Sequence, residues 1–466
     1  MSDFLENRTY AEIKVGDSAS LTRTLQPQDI QLFAVMSGDV NPAHVDPEYA
    51  QSSMFQEVIA HGMWGGALVS TVLGTQFPGP GTIYISQTLK FSRPVKVGDT
   101  ITVSITCAKK FDHNKHIIFD CVCTNQEGLR VIAGEAEVLA PTEKIRRRRV
   151  PLPEVTISDR EARYRRLLGR AKGLTAATAV FAYPSQVESL RSAAVAREQG
   201  FVQPVLVGPE AELRELAEQN GIDLRDCRFV DTPHARDAVA RAVVMAREGE
   251  AEIMVQGSLA THEFLLPLIA PDGLRTVRRR LSHVLYMDVA NHPRPLIISD
   301  MMLNIEPTLE QKVEVVQNAI DFAHIMGIPA PKVAILAGID AVRPKMRTTL
   351  DAAALCKMAE RGQITGGVLD GPLSVENAMS VVAARNAQLK SAVAGQADVL
   401  IAPNLESGNM LAKQLEHLSD AISGGVVLGG RVPIVLANRN DPLESRVASL
   451  VIALLVANHQ RATPQT

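Results

Sequence analysis

Ser37-Gly38-Asp39-Val40-Asn41-Pro42-Ala43-His44, followed shortly by Ala60-His61-Gly62-Met63, decides how the first part of this chain is read. It sets a carboxylate and an imidazole five positions apart. Pro42 lacks a backbone donor and biases Asn41 away from helical geometry, so the segment reads as an irregular loop from which Asp39 and His44 point into one pocket. His61-Gly62-Met63 then opens an apolar segment, a helix start whose free N–H groups face the same pocket.

Working outward, residues 8–25 read as a lead-in strand. Residues 28–37 carry Ile30, Phe33, Ala34 and Met36 at helical spacing and stop at Gly38. Asp46-Pro47-Glu48 is a helix start, with a capping carboxylate followed by proline at the first position. From Gly62 to Leu73 the sequence is apolar almost all round, which predicts a helix buried on most sides. Residues 83–91, 100–109, 116–124 and 129–139 alternate as half-buried strands do. A buried helix followed by a wrapping antiparallel sheet is a compact α+β unit.

Taken alone, an Asp and a His at this spacing also describe surface loop residues, and His61 also reads as a packing or helix-start residue. The order of the parts carries the chemistry. Adding water to an activated alkene requires a base for the water and an acid for the neighbouring carbon, which a carboxylate and an imidazole sharing one water supply. Conjugation to a thioester puts negative charge on the carbonyl oxygen, for which amides at a helix start are suited donors. Gly62 leaves room for such an approach.

Residues 8–140 resemble the (R)-specific enoyl-CoA hydratases of the MaoC-like, hot-dog-fold family. The matching pieces run from Ser37 to Pro47, from Ala60 to Met63, and through Phe91-Ser92-Arg93-Pro94-Val95-Lys96-Val97-Gly98-Asp99. The resemblance implies that Asp39 and His44 activate the water and that the Gly62 amide binds the thioester oxygen. It also implies that Ser70 supports the pocket and that the domains pair into dimers.

The chain is 466 residues long, enough for two or three domains, and its 46% hydrophobic and 21% charged content is that of an average soluble enzyme. A net charge of -3 argues against a chain-wide nucleic-acid footprint. Cys107, Cys121, Cys123, Cys227 and Cys356 are scattered, with no CxxC pair, and read as reduced cytosolic thiols rather than a disulfide framework or zinc site. The start lacks a basic and apolar leader, and the longest apolar run, 447–457, is too short to span a bilayer. A cytoplasmic protein without membrane association is expected.

Residues 141–159, with Arg146 to Arg149, Pro151 and Pro153, read as a basic interdomain linker, solvated or set against an acidic surface. The arginines also suggest a nucleic-acid patch, but no aromatics are interleaved. From residue 160 onward, strands alternate with helices, which predicts a parallel α/β sheet. Transfer of an acyl group between a thiol and phosphate needs a cation, donors for the acyl oxygen and a base. In open α/β sheets these come from loops at strand ends. Gly257-Ser258-Leu259-Ala260-Thr261 follows one strand, with small residues expected to leave backbone amides accessible. Residues 404–409 and Asn438-Arg439-Asn440-Asp441 follow two others. Arg439 reads equally as an ion-pair partner of Asp441 or Glu444. None of these is a P-loop or dinucleotide fingerprint.

Residues 160–466 resemble the phosphate acetyl/butyryltransferase family, leaning toward the butyryltransferase branch. The resemblance rests on Gly257 to Phe264, Gly273 to Thr276, Arg280 to Val284, Ser299 to Ile305, Leu369 to Leu373, Ala394 to Leu400 and Pro403 to Asn409. It implies a two-lobed α/β fold of the phosphate acyltransferase, isocitrate/isopropylmalate-dehydrogenase-like, type. Arg439 would face phosphate or the acyl carbonyl, with Gly257, Ser258, Thr261, Asn304 and Asn438 as substrate-binding residues and no metal. Two positions depart from the family: Asn438 stands where serine is usual, and Gln256 where a lysine often precedes the glycine loop.

The expected protein is a bifunctional CoA-thioester enzyme with no bound cofactor. Its domains are 1–140 (hydratase), 141–159 (linker) and 160–466 (transferase). Its substrates are acyl-CoA with inorganic phosphate or acyl phosphate, and it forms a homo-oligomer. The rival is an active hydratase carrying a catalytically silent transferase-like domain used for oligomerisation or CoA sensing. A decarboxylating dehydrogenase, related in sheet type, is disfavoured by the lack of an aspartate cluster for Mg²⁺ or Mn²⁺.

Overall fold

The protein is described from a computed structural model covering residues 3–153, 155, 157, 159–275, 279–290, 292–438 and 440–463. The chain divides into two compact units, residues 1–157 and 158–466.

In the first unit the helix Gly62–Thr75 lies against an antiparallel sheet in the order 18–24, 100–111, 116–124, 130–139, 83–87, with 90–91 also pairing to 130–139. Trp64, Leu68, Val69, Val72 and Leu73 from the helix meet Val103, Ile105, Phe119, Cys121 and Val138 from the sheet in one core. That is the expected hot-dog arrangement. Gly134 shows how closely the sheet is drawn in: a Cβ there would stand 1.8 Å from the Thr88 carbonyl oxygen, so no larger residue fits.

Two local expectations are corrected. Asn41 to His44 is not an irregular loop. Asn41 caps a one-turn helix, Pro42–Val45, accepting from the Ala43 amide, and Pro42 sits at the first helical position, where its missing N–H costs nothing. The helix Gly62–Thr75 is not buried on most sides. Met63, Ala67, Ser70, Thr71 and Gly74 form an exposed stripe, because a single sheet covers one face only.

The expected linker also begins inside the first unit. Arg146–Arg148 pairs antiparallel with Phe4–Glu6, and the Arg146 guanidinium lies 4.4 Å over the Phe4 ring, an aromatic partner brought from the other end of the first unit. Buried Asn7 fixes the register. Its side chain donates to the Glu143 carbonyl (2.8 Å) and accepts from the Ile145 amide (2.9 Å).

The strands of the second unit lie in one 11-stranded sheet. In sheet order they are 228–231, 202–208, 177–182, 253–256, 434–435, 422–428, 282–288, 296–299, 399–401, 332–336 and 368–373. The sheet is mixed rather than parallel. Strand 282–288 runs antiparallel to both neighbours, and 422–428 is antiparallel to 434–435. The connections 289–295 and 429–433 are too short for a crossover helix, which requires a dozen or more residues. Every residue of Ser282–Asp288 and Ile422–Leu428 is buried. The helix Leu443–Ala462 carries the apolar run 447–457 into the same core. No helix among the described residues is long and apolar enough to cross a membrane.

Candidate functional sites

In the first unit, helix Pro27–Ser37 ends at Gly38, whose φ of 75° demands glycine, and releases the chain toward Asp39. The Asp39 carboxylate accepts from the Asn41 amide (3.2 Å). His44 Nδ1 lies 2.9 Å from the Ile59 carbonyl oxygen. A carbonyl only accepts, so Nδ1 carries the proton and Nε2 of the neutral ring keeps its lone pair. His61 Nε2 likewise donates to the Asp39 carbonyl (3.0 Å), which ties the loop to the start of the Gly62–Thr75 helix. The His44 and His61 rings stand 4.1 Å apart, tilted by 36°, with Phe33 stacked on His61.

Asp39, His44 and His61 each offer an atom within 4.8 Å of the others, close enough to share one water or to hold a metal ion. His44, His61, Gly62, Trp64 and Phe91 help line a cleft of about 420 Å³. Gly62 opens its helix, so its N–H has no intrahelical acceptor, and a Cβ there would meet the Phe91 ring at 3.1 Å. Asp39 is exposed and outside the lining of that cleft, and Ser70 sits on the exposed stripe of the helix.

In the second unit the outcome is more uneven. The Gly257 and Ser258 amides are not accessible. They donate to the Ala182 and Tyr183 carbonyls at 3.0 and 2.8 Å, and a Cβ at Gly257 would be 2.3 Å from the Ala182 oxygen. Gly257 therefore serves close strand packing. Gln256 donates to the Leu259 carbonyl and to Thr261 Oγ1, bracing that turn. Asn304 is buried and fully engaged. It accepts from Arg280 Nε and donates to the Leu281 carbonyl and the Asp300 carboxylate. Arg439 lies outside the described residues.

A small cleft of about 50 Å³ does gather reactive groups, among them His283, Asn409, Lys413, Glu416, Asn438 and Asp441. The Asn438 amide donates to Asp441 (2.8 Å), and buried Arg446 holds the same turn by donating to the Asn438 and Asp441 carbonyls. Burial pushes the Asp441 carboxyl above its usual range, against the opposing hydrogen bond from Asn438 and the charge of Lys413. Lys413 pairs with Glu416 at 2.6 Å and lies 4.0 Å from Asp441. His283, Lys413 and Glu416 escaped the sequence reading. His283 lies in the stretch Arg280 to Val284 that carries the resemblance but is not marked there as a site residue, and Lys413 and Glu416, on a helix far along the chain, carry no local motif.

Comparisons with known proteins agree with this division. The family described as phosphate acetyl/butaryl transferase matches residues 232–454, and the MaoC like domain matches residues 10–122. A phosphate acetyltransferase of Rhizobium meliloti is 47% identical over 302 residues, 65% of this chain and 95% of that protein. A phosphate butyryltransferase of Clostridium acetobutylicum is 36% identical over 266 residues, 57% of this chain and 88% of that protein. The crystal structure of a branched-chain phosphotransacylase from Enterococcus faecalis V583 is 26% identical with a TM-score of 0.54, covering 60% of this chain and 99% of that one. The chain belongs to the phosphate acetyl/butyryltransferase family and carries a MaoC-like domain ahead of that region.

Proposed function

We propose that this chain is a bifunctional CoA-thioester enzyme. Its first unit hydrates enoyl-CoA to (R)-3-hydroxyacyl-CoA, and its second transfers short acyl groups between CoA and phosphate. The observation that carries the first activity is the grouping of Asp39, His44 and His61 within 4.8 Å beside the start of the Gly62–Thr75 helix. A water held by Asp39 and the free Nε2 of His44 loses a proton as its oxygen bonds to the β-carbon. The alkene π electrons move toward the carbonyl, and the α-carbon gains a proton from the same pair. The Gly62 amide and the helix dipole meet the charge that develops on the thioester oxygen.

For the transferase, family membership supports the reaction, and the turn 438–441 supplies its groups. Lys413 and Arg439 provide positive charge for phosphate, and Asn438 a neutral donor. Asp441 takes the thiol proton. Lys413, on the helix Leu405–Leu418 beside that turn, stands in for the lysine missing at Gln256. Both reactions proceed by proton transfer and charge stabilisation, so CoA thioesters and phosphate serve as substrates and no resident cofactor is required. The cytoplasm, where both substrates are made, is the proposed location.

The pairing expected of hot-dog domains supports a homo-oligomer, and the exposed stripe of Met63, Ala67, Ser70, Thr71 and Gly74 is the face we assign to that contact. Sedimentation should show an assembly larger than the 50.4 kDa monomer; a monomer at micromolar concentration would contradict this.

A second reading, a silent transferase-like domain, is favoured by the occupied Gly257 and Ser258 amides. Purified full-length protein is to be assayed with crotonyl-CoA, and separately with acetyl-CoA or butyryl-CoA plus phosphate. Phosphate-dependent CoA release should be present and should fall about 10²–10³-fold in Arg439→Ala, the cost of losing one charge-stabilising donor. Its absence from the wild type would establish the silent domain instead.

A further inference from the structure

The geometry points to His283 as a further catalytic residue of the transferase cleft, its Nε2–H donating to the acyl carbonyl oxygen as acyl transfer proceeds. The inference rests on the transferase reading above.

His283 lies on the central strand Ser282–Asp288, all of whose residues are buried, and is itself 2% exposed. Such a position ordinarily holds an apolar side chain, so a histidine there calls for a reason. Packing does not supply one: Nδ1 is enclosed without a hydrogen-bond partner among the described residues. The other edge of the ring is accommodated. A Cβ at position 425 would stand 2.5 Å from Nε2 and 2.7 Å from Cε1, so the neighbouring strand carries glycine where the ring lies. Gly425 and His283 line the same cleft as Asn438, Asp441 and Lys413. With Nδ1 sealed, a proton on Nε2 is the one the cleft can use.

The chemistry of the surroundings selects the ligand atom. Burial holds the His283 imidazole below its usual range, against the opposing pull of Asp300 and Glu416, so the ring is neutral near neutral pH. A neutral donor suits a carbonyl that gains charge only during reaction, whereas the dianionic phosphate is better met by Lys413 and Arg439. Leu285, Met301, Met302 and Leu436 line the cleft beside His283 and offer apolar contact to a short acyl chain. In the step itself the CoA sulfur bonds to the acyl carbon of an acyl phosphate. The carbonyl oxygen carries the negative charge of the tetrahedral intermediate. The C–O bond to phosphate then breaks, phosphate leaves with its electron pair, and the thiol proton passes to Asp441.

The test uses His283→Gln, His283→Asn and His283→Leu in the full-length chain, with acetyl phosphate and CoA as substrates. The glutamine amide nitrogen reaches the place of Nε2, and the asparagine amide that of Nδ1. The glutamine variant should keep kcat within about 10-fold, while asparagine and leucine lose about 10²–10³-fold in kcat. KM for acetyl phosphate should stay within about 3-fold, since ground-state binding is carried by the cations. The thermal midpoint and crotonyl-CoA hydration by the same preparations report on folding. Should the leucine variant fail to fold, the glutamine–asparagine difference decides. Wild-type rates in leucine or asparagine, or a glutamine variant as slow as asparagine, would overturn the role of His283. A wild-type chain unable to form acetyl-CoA would overturn the transferase reading, and this role with it.

Discussion

Replacing Asp39 with asparagine should lower crotonyl-CoA hydration by about 10²–10⁴-fold, the range contributed by a positioned acid or base. A thousandfold loss corresponds to about 4 kcal/mol of transition-state stabilisation. Asparagine is isosteric and keeps an oxygen for the Asn41 amide, so the turn that begins at Asn41 should survive. The His61 hydrogen bond goes to the Asp39 backbone carbonyl and is untouched by the change. What disappears is the charge proposed to take the water's proton. Acyl transfer by the same molecules should be unaltered, since the two units fold around separate cores. Hydration within threefold of wild type would show that Asp39 is not the base.

The largest stability effect should follow Asp351→Ala. Lys312, on helix Leu309–Ile325, donates to Asp351 on helix Arg347–Glu360 at 2.8 Å, and both side chains are at least nine-tenths buried. Arg347 approaches the same carboxylate oxygen at 3.8 Å but is largely exposed and adds little. Removing the carboxylate strands an ammonium in the interior, which costs about 3–5 kcal/mol. For a unit of this size, with an unfolding entropy of about 2.1 cal/mol/K per residue, that is a fall of roughly 5–8 °C in Tm. The double replacement Lys312→Met with Asp351→Leu should recover most of the loss, because a buried pair gives little net stability over apolar residues of similar volume. Calorimetry on the two variants checks both statements; a Tm within 2 °C of wild type in Asp351→Ala would show the pair to be solvated.

The first unit was largely legible because its signals are local. Glycine at a helix end, Asp-Pro at a helix start and alternating strands each act within a few residues, and the segments they mark are the strands of the sheet, though not their order in it. What the sequence could not convey there was coverage: an apolar helix looks the same whether one face or both are packed. In the second unit, alternation of helices and strands suggested parallel pairing. The antiparallel strand 282–288 is hidden because Ser282 and His283 at one end and Asp288 at the other leave an apolar run of only four residues, Val284 to Met287. Gly257 and Ser258 read as free donors because a sequence does not reveal that an amide is already bonded to Ala182 or Tyr183 at the end of the neighbouring strand. Asn304, expected to bind substrate, spends its hydrogen-bonding capacity on Arg280, Leu281 and Asp300 instead.

The pairing of Phe4–Glu6 with Arg146–Arg148 bears on how the two halves can be separated. A cut at residue 140 removes the strand that covers Phe4–Glu6 and the carbonyl of Glu143 that receives Asn7. It would leave a bare strand edge with an aromatic residue on it, open to a neighbouring molecule. The first unit is excised cleanly only beyond Arg149, whose amide still bonds to the Asp3 carbonyl. The two ends of that half are thus sewn together, and the chain leaves for the second unit from a closed seam rather than a loose tail.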